Sequence, residues 1–168
     1  MLELLLPVIV FAGFLVGGLL AMVSPEEMQP GRIYFIWLLR IFALLVFVYL
    51  LYLGSFDLYG VTALVLGTVF GFFIRSYHTS IGLAATMVTL LSKEVMILFG
   101  SLAFAFSLVH GTLNYSSHKF TLKRVLLRAL FFFAPLLVLL TPLPPEPVIM
   151  FAAGSLATGF IANSSPRI

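Results

Sequence analysis

The sequence predicts an all-α, polytopic integral membrane helix bundle with about seven membrane segments. Four observations carry that expectation. Hydrophobic residues fill 62% of the 168 positions and charged residues only 9%, whereas water-soluble domains hold about 45–50% and about 25%. The mean hydropathy is +1.19. The apolar residues gather into runs near the ~20 residues that a helix needs to cross a bilayer. The lysines and arginines fall almost entirely on one side of the crossings that those runs imply. Nothing in the composition suggests a second unit, so residues 1–168 are expected to form a single transmembrane domain.

The first run is Leu4–Val23. No basic region or small-residue cleavage site marks it as a signal peptide, so it is expected to remain as the first span. The polar break Ser24–Gly31 follows. The second span runs from about Tyr34 to Gly54 with Arg40 inside it. Asp57 marks the next turn, and Leu58–Ile74 forms the third span. Thr79–Leu91 then meets Lys93 and Glu94. Val95–Leu113 is another span, and a polar, basic loop runs from Asn114 to Arg124. Val125–Leu140 contains Pro135, which is expected to kink the helix without ending it, because neighbouring helices can satisfy the freed carbonyl. The turn Thr141–Pro147 is too proline-rich to be helical throughout. Val148–Ala162 is the last span.

Thr79–Leu91 is short: thirteen residues of helix rise about 20 Å against a hydrocarbon core of ~30 Å. The charge distribution decides how to read it. If it enters the membrane and the next segment returns, Arg32, Arg40, Arg75, Lys119, Lys123, Arg124, Arg128 and Arg167 share one side, with only Lys93 opposite. That bias orients the chain in the cell membrane with the N-terminus outside and the C-terminus cytoplasmic. If residues 76–112 form a re-entrant hairpin instead, six true spans remain. That would put Lys93 and Glu94 near mid-membrane, where an unpaired charge costs several kcal/mol, so the pair is read as an exposed turn of a full crossing.

Helix packing in lipid relies on small residues that let backbones approach. Gly13 and Gly17, Gly67 and Gly71, the row Ala103, Ser107 and Gly111, and the row Ala153 and Ala157 mark the expected contact faces. The second span is bulky and aromatic from Ile41 to Leu53 and is expected at the lipid-facing rim.

Several function classes are excluded. There is no cysteine, so thiolate metal sites, iron–sulfur clusters and cysteine nucleophiles are absent. Asp57 is the only aspartate, which excludes a two-aspartate intramembrane protease. No HExxH sequence occurs. No basic block has the scale of a nucleic-acid footprint. His78, His110 and His118 lie toward the cytoplasmic face with Glu26 and Glu27. Their spacing matches no ligand motif, and each is read as an interfacial or loop histidine making ordinary hydrogen bonds. No metal and no cofactor are expected.

The basic residues are the more credible constellation. Arg32, Arg40, Arg75, Arg124 and Arg128, with Lys123, sit at or just inside helix ends, where guanidinium forks can reach phosphate or carboxylate. Arg40 lies deepest and is the leading ligand-binding candidate. The resulting expectation is a transporter, or the substrate-binding membrane component of one, for an anionic or amphipathic small molecule. Two alternatives stand beside it. One is a non-catalytic structural or accessory subunit of a membrane complex. The other is a membrane-embedded enzyme acting on a lipid phosphate, for which the sequence lacks a carboxylate pair. Expected partners are membrane lipids, other membrane subunits or further copies of the chain, and no nucleic acid.

Overall fold

The structure, a computed structural model, describes residues 5–74, 77–116, 121–141 and 143–162. These form seven α-helices and one 3₁₀ segment: α1 (Leu5–Val23), α2 (Pro25–Leu53), α3 (Leu58–Ile74), α4 (Tyr77–Val88), α5 (Lys93–Ser116), α6 (Leu122–Phe133), the 3₁₀ segment Ala134–Leu140 and α7 (Pro145–Ala162). Three stretches among the described residues are long and apolar enough to cross a membrane: Leu5–Val23, Pro30–Leu53 and Lys93–Tyr115. Leu58–Phe73 is a shorter apolar helix. Large apolar side chains stay exposed along most helices, among them Leu19, Ile41, Leu44, Val65, Phe73 and Ile97. A surface of this kind belongs in lipid rather than water.

The polar break expected over Ser24–Gly31 is helical. Only Ser24 separates α1 from α2, and its N–H still bonds the Leu20 carbonyl at 3.1 Å. Pro25 occupies the first turn of α2, where its missing N–H costs nothing. Pro30 lies inside the helix and removes only the bond that the Glu26 carbonyl would have accepted. The first turn of α3 is capped by Asp57, whose Oδ1 accepts from Gly60 N–H at 2.7 Å and from the Ser55 hydroxyl at 2.9 Å.

Two helix pairs are the most intimate, α1 with α5 and α3 with α7. Both are built on the glycine and alanine rows. A Cβ at Gly17 would fall on the Leu108 carbonyl, and one at Gly67 on the Phe151 carbonyl. Only hydrogen at these positions allows backbones so close. One face of α2, through Ala43, Val46 and Leu50, is buried against α5 and α7. The opposite face is open at Leu44, Leu45 and Val48, as its bulky composition predicts.

The short helix α4 is the centre of the bundle. From Ser80 to Thr89 every residue is buried, against α7, α6, the 3₁₀ segment, α5 and α1. Ser80 and Ser155 of α7 share a hydrogen bond of 2.7 Å. The segment therefore enters the bundle and does not lie along its surface. Lys93 and Glu94, at the start of α5, are exposed.

Pro135 acts differently from the kink expected of it. The α-helix ends at Phe133 and the chain continues as 3₁₀ helix through Leu140. Proline cannot donate to the Phe131 carbonyl, and the tighter i→i+3 pattern takes up the change. Pro135 is itself buried and the 3₁₀ segment packs on α4, so the break stays inside the bundle.

Candidate functional site

One end of the bundle holds a polar cluster assembled from four helices. His78 opens α4. His110 and Asn114 stand one turn apart near the end of α5, followed by Tyr115. Arg128 lies on α6, and Phe14 on α1 reaches the middle of the group. The phenyl ring of Phe14 is its hub: it lies 4.6 Å edge-on from the His78 ring, 5.8 Å from His110 and 5.5 Å from Tyr115. Gly18, one turn along α1, leaves the space that the Tyr115 ring enters.

The imidazoles of His78 and His110 lie 4.9 Å apart, ring centre to ring centre. His110 also packs on Tyr77 at 5.2 Å and Phe106 at 5.8 Å. This corrects the reading of the histidines as separate interfacial residues with ordinary hydrogen bonds: two of them meet inside the bundle, and Nε2 of His78 is buried with no hydrogen-bond partner. His118 lies outside the described residues.

Arg128 enters the cluster because of where it falls on α6. Val125, Arg128, Ala129 and Phe132 share the inward face of that helix at i, i+3, i+4 and i+7, while Lys123, Arg124, Leu126 and Leu127 are exposed. The guanidinium donates from Nη2 to Asn114 Oδ1 at 2.6 Å. Its carbon lies 5.5 Å from the Phe14 ring centre and 5.3 Å from that of Tyr115, close enough for cation–π attraction. Nη1 is buried with no hydrogen-bond partner, as is the Thr79 hydroxyl beside His78. Arg128 is within electrostatic range of both imidazoles. No carboxylate of the described residues pairs with it.

Buried polar atoms in folded proteins are nearly always satisfied, so a group left open calls for a physical reason. Here an arginine nitrogen, an imidazole nitrogen and a hydroxyl are left open at the same end, beside the start of α4, whose first N–H groups carry partial positive charge. All three can donate toward negative oxygen: the guanidinium always, the imidazole in the tautomer with the proton on Nε2, and the hydroxyl by rotation.

Of the other sequence-predicted ligand residues, Arg32, Arg40 and Arg124 do not join the cluster. Arg32 and Arg124 are exposed. Arg40 is half-buried on α2 with its guanidinium 5.3 Å from the ring centre of Trp37, one turn back. Arg75 lies outside the described residues. No group of three or more histidine, cysteine, aspartate or glutamate side chains that could hold a metal occurs among the described residues.

Several helix hydroxyls are bonded locally. Thr62, Thr68, Thr86 and Ser101 each donate to the carbonyl four residues back in their own helix, at 2.7–2.9 Å. They are spent on local backbone.

No protein-family model, curated protein or solved structure matches the chain.

Proposed function

We propose that the chain is a small integral membrane protein of seven membrane segments in the cell membrane, N-terminus outside and C-terminus cytoplasmic, folded as one transmembrane domain. In this reading it binds an anionic or amphipathic small molecule from the cytoplasmic side, as a transporter or as the substrate-binding membrane component of one. The observation that supports it is Arg128: an inward-facing guanidinium with a buried, unpartnered Nη1 beside two imidazoles. An ionisable residue inside a membrane bundle is costly to hold and is a functional candidate by default. In the proposed topology the start of α4, the end of α5 and the start of α6 all face the cytoplasm. Lys123 and Arg124, exposed on the first turn of α6, would draw anions toward that end. Arg128 replaces Arg40 as the residue expected to matter most, because among the described arginines it is the one set among other unpartnered polar atoms.

The test is exchange of radiolabelled anions across vesicles reconstituted with purified protein. The expected result is counterflow of at least one of inorganic phosphate, glycerol phosphate or a short-chain carboxylate, reduced by Arg128→Lys and unchanged by Arg32→Lys. Lysine keeps the charge and loses the planar fork. Counterflow indistinguishable from protein-free vesicles for all three removes the transport reading.

One observation favours a second reading, an accessory subunit of a membrane complex. The hydroxyls of Thr62, Thr68, Thr86 and Ser101 are each spent on their own helix backbone, and α2 offers an exposed face at Leu44, Leu45 and Val48. Copurification of a stoichiometric membrane partner that covers Leu44 and Val48 would support that role.

A further inference from the structure

Away from the histidine–arginine cluster, α1 and α5 part at the end where α4 turns into α5. The gap is a groove of about 1120 Å³. Leu6 and Ile9 form one wall, and Met96, Ile97, Gly100 and Phe104 the other, with Ser92 and Lys93 at the mouth. Gly100 makes the floor deep: a Cβ there would meet only the tip of Leu6, at 2.7 Å. Ile9 and Ile97 stand at the rim, 49% and 71% exposed.

Three features say what fills it. From Lys93 to Phe104 the helix rises about 16 Å, close to half of the ~30 Å hydrocarbon core, which is the depth of one leaflet. Below the mouth the lining is aliphatic and aromatic apart from Ser101, whose hydroxyl is bonded to the Ile97 carbonyl. The single basic side chain on it, Lys93, is exposed at the mouth, where a lipid phosphate would stand if the chain below it lay in the groove. Lysine stems lie along apolar surface while the ammonium reaches the headgroup.

We propose that this groove is a specific lipid site. It holds one acyl chain of a glycerophospholipid with a net negative headgroup, and Lys93 binds the headgroup phosphate. The occupant wedges between α1 and α5 and completes a pair that is otherwise in backbone contact from Gly13 onward. The site is independent of the anion cluster. The topology proposed above decides only which leaflet supplies the lipid: with Lys93 outside, it is the outer one.

The experiment is native mass spectrometry of full-length protein in mild detergent, titrated with phosphatidylglycerol or phosphatidylcholine. Wild type is compared with Ser101→Trp, Ile97→Trp and Lys93→Ala. Ser101 is exposed and lies on the groove, so tryptophan there fills the space without touching the core. Ile97→Trp fills it from the rim, which keeps the test sound if one variant folds poorly. The expected result is one retained phosphatidylglycerol per wild-type chain, bound more tightly than phosphatidylcholine. Both tryptophan variants should lose it. Lys93→Ala should weaken phosphatidylglycerol by about threefold, the effect of one exposed ion contact, and weaken phosphatidylcholine less, because the choline cation already offsets its phosphate charge. Equal retention in wild type and in both folded tryptophan variants overturns the site. Loss in the tryptophan variants with no effect of Lys93→Ala overturns the role of Lys93.

Discussion

His78 and His110 come from different helices, and their rings lie 4.9 Å apart with Arg128 within electrostatic range of both. Three nitrogen-bearing side chains are thus held together in a bundle whose other buried polar groups, among the described residues, are hydroxyls. Packing alone does not call for this. A methionine or leucine at each position would fill similar volume without burying open donors.

The first prediction follows from that cost. Arg128→Gln removes a charged hydrogen bond to Asn114, worth about 1.5–3 kcal/mol, and relieves a buried, incompletely paired charge of similar cost. The ligand-free variant should therefore unfold within about 1 kcal/mol of wild type in detergent melts. A loss beyond about 3 kcal/mol would mark Arg128 as a structural residue.

The second concerns the glycine rows. Gly67→Leu should destabilise the protein strongly or prevent folding, because the added side chain meets the Phe151 backbone and overpacking alone costs about 1–3 kcal/mol. Leu45→Ala and Val48→Ala lie on the exposed face of α2 and should be nearly silent. Thermal unfolding of the three variants side by side checks this; equal stability would remove the packing argument.

How much of this was legible in the sequence varies by element. The bounds of α3, Leu58–Ile74, follow directly from apolar length and the Asp57 turn. The start of α2 did not, because Pro30 and Gly31 read as a break. The competing signal was Pro25, which suits a first turn, with Glu26 next to it at the positive end of the helix. The contact rows were readable because close helix approach in lipid has one cheap solution, small side chains. The cluster was not, because His78, His110 and Arg128 are distant in sequence and only α4 at the bundle centre brings them together. A partial signal existed: Arg128 shares a helical face with Val125, Ala129 and Phe132, whereas Arg124 does not share it with Phe132.

A third prediction concerns Asp57. Gly60 N–H and the Ser55 hydroxyl hold its carboxyl below the ordinary carboxylate range. A lowered carboxyl adds stability that is fully present at neutral pH and is lost as pH falls through the lowered range. Asp57→Ala should lower the melting temperature slightly at pH 7 and make no difference once the wild-type carboxyl is protonated. Asp57→Asn, which can still cap, should fall between. A wild-type advantage over Asp57→Ala that persists undiminished under acid conditions would contradict the assignment.

A fourth tests orientation. A fusion at the C-terminus that is active only in the cytoplasm should be active, and a cysteine placed at Lys93 should react with an impermeant thiol reagent added outside intact cells. Labelling only after permeabilisation would reverse the topology or turn 76–112 into a re-entrant hairpin.

The most direct measurement of the central claim is thermal unfolding of purified wild type and Arg128→Gln, each with and without inorganic phosphate, glycerol phosphate and a short-chain carboxylate at constant ionic strength. An anion present at about 100 times its Kd should stabilise wild type by about 2.7 kcal/mol and leave Arg128→Gln unmoved. Equal shifts in both proteins, or none in wild type with any of the three, would contradict an anion site at Arg128, His78 and His110.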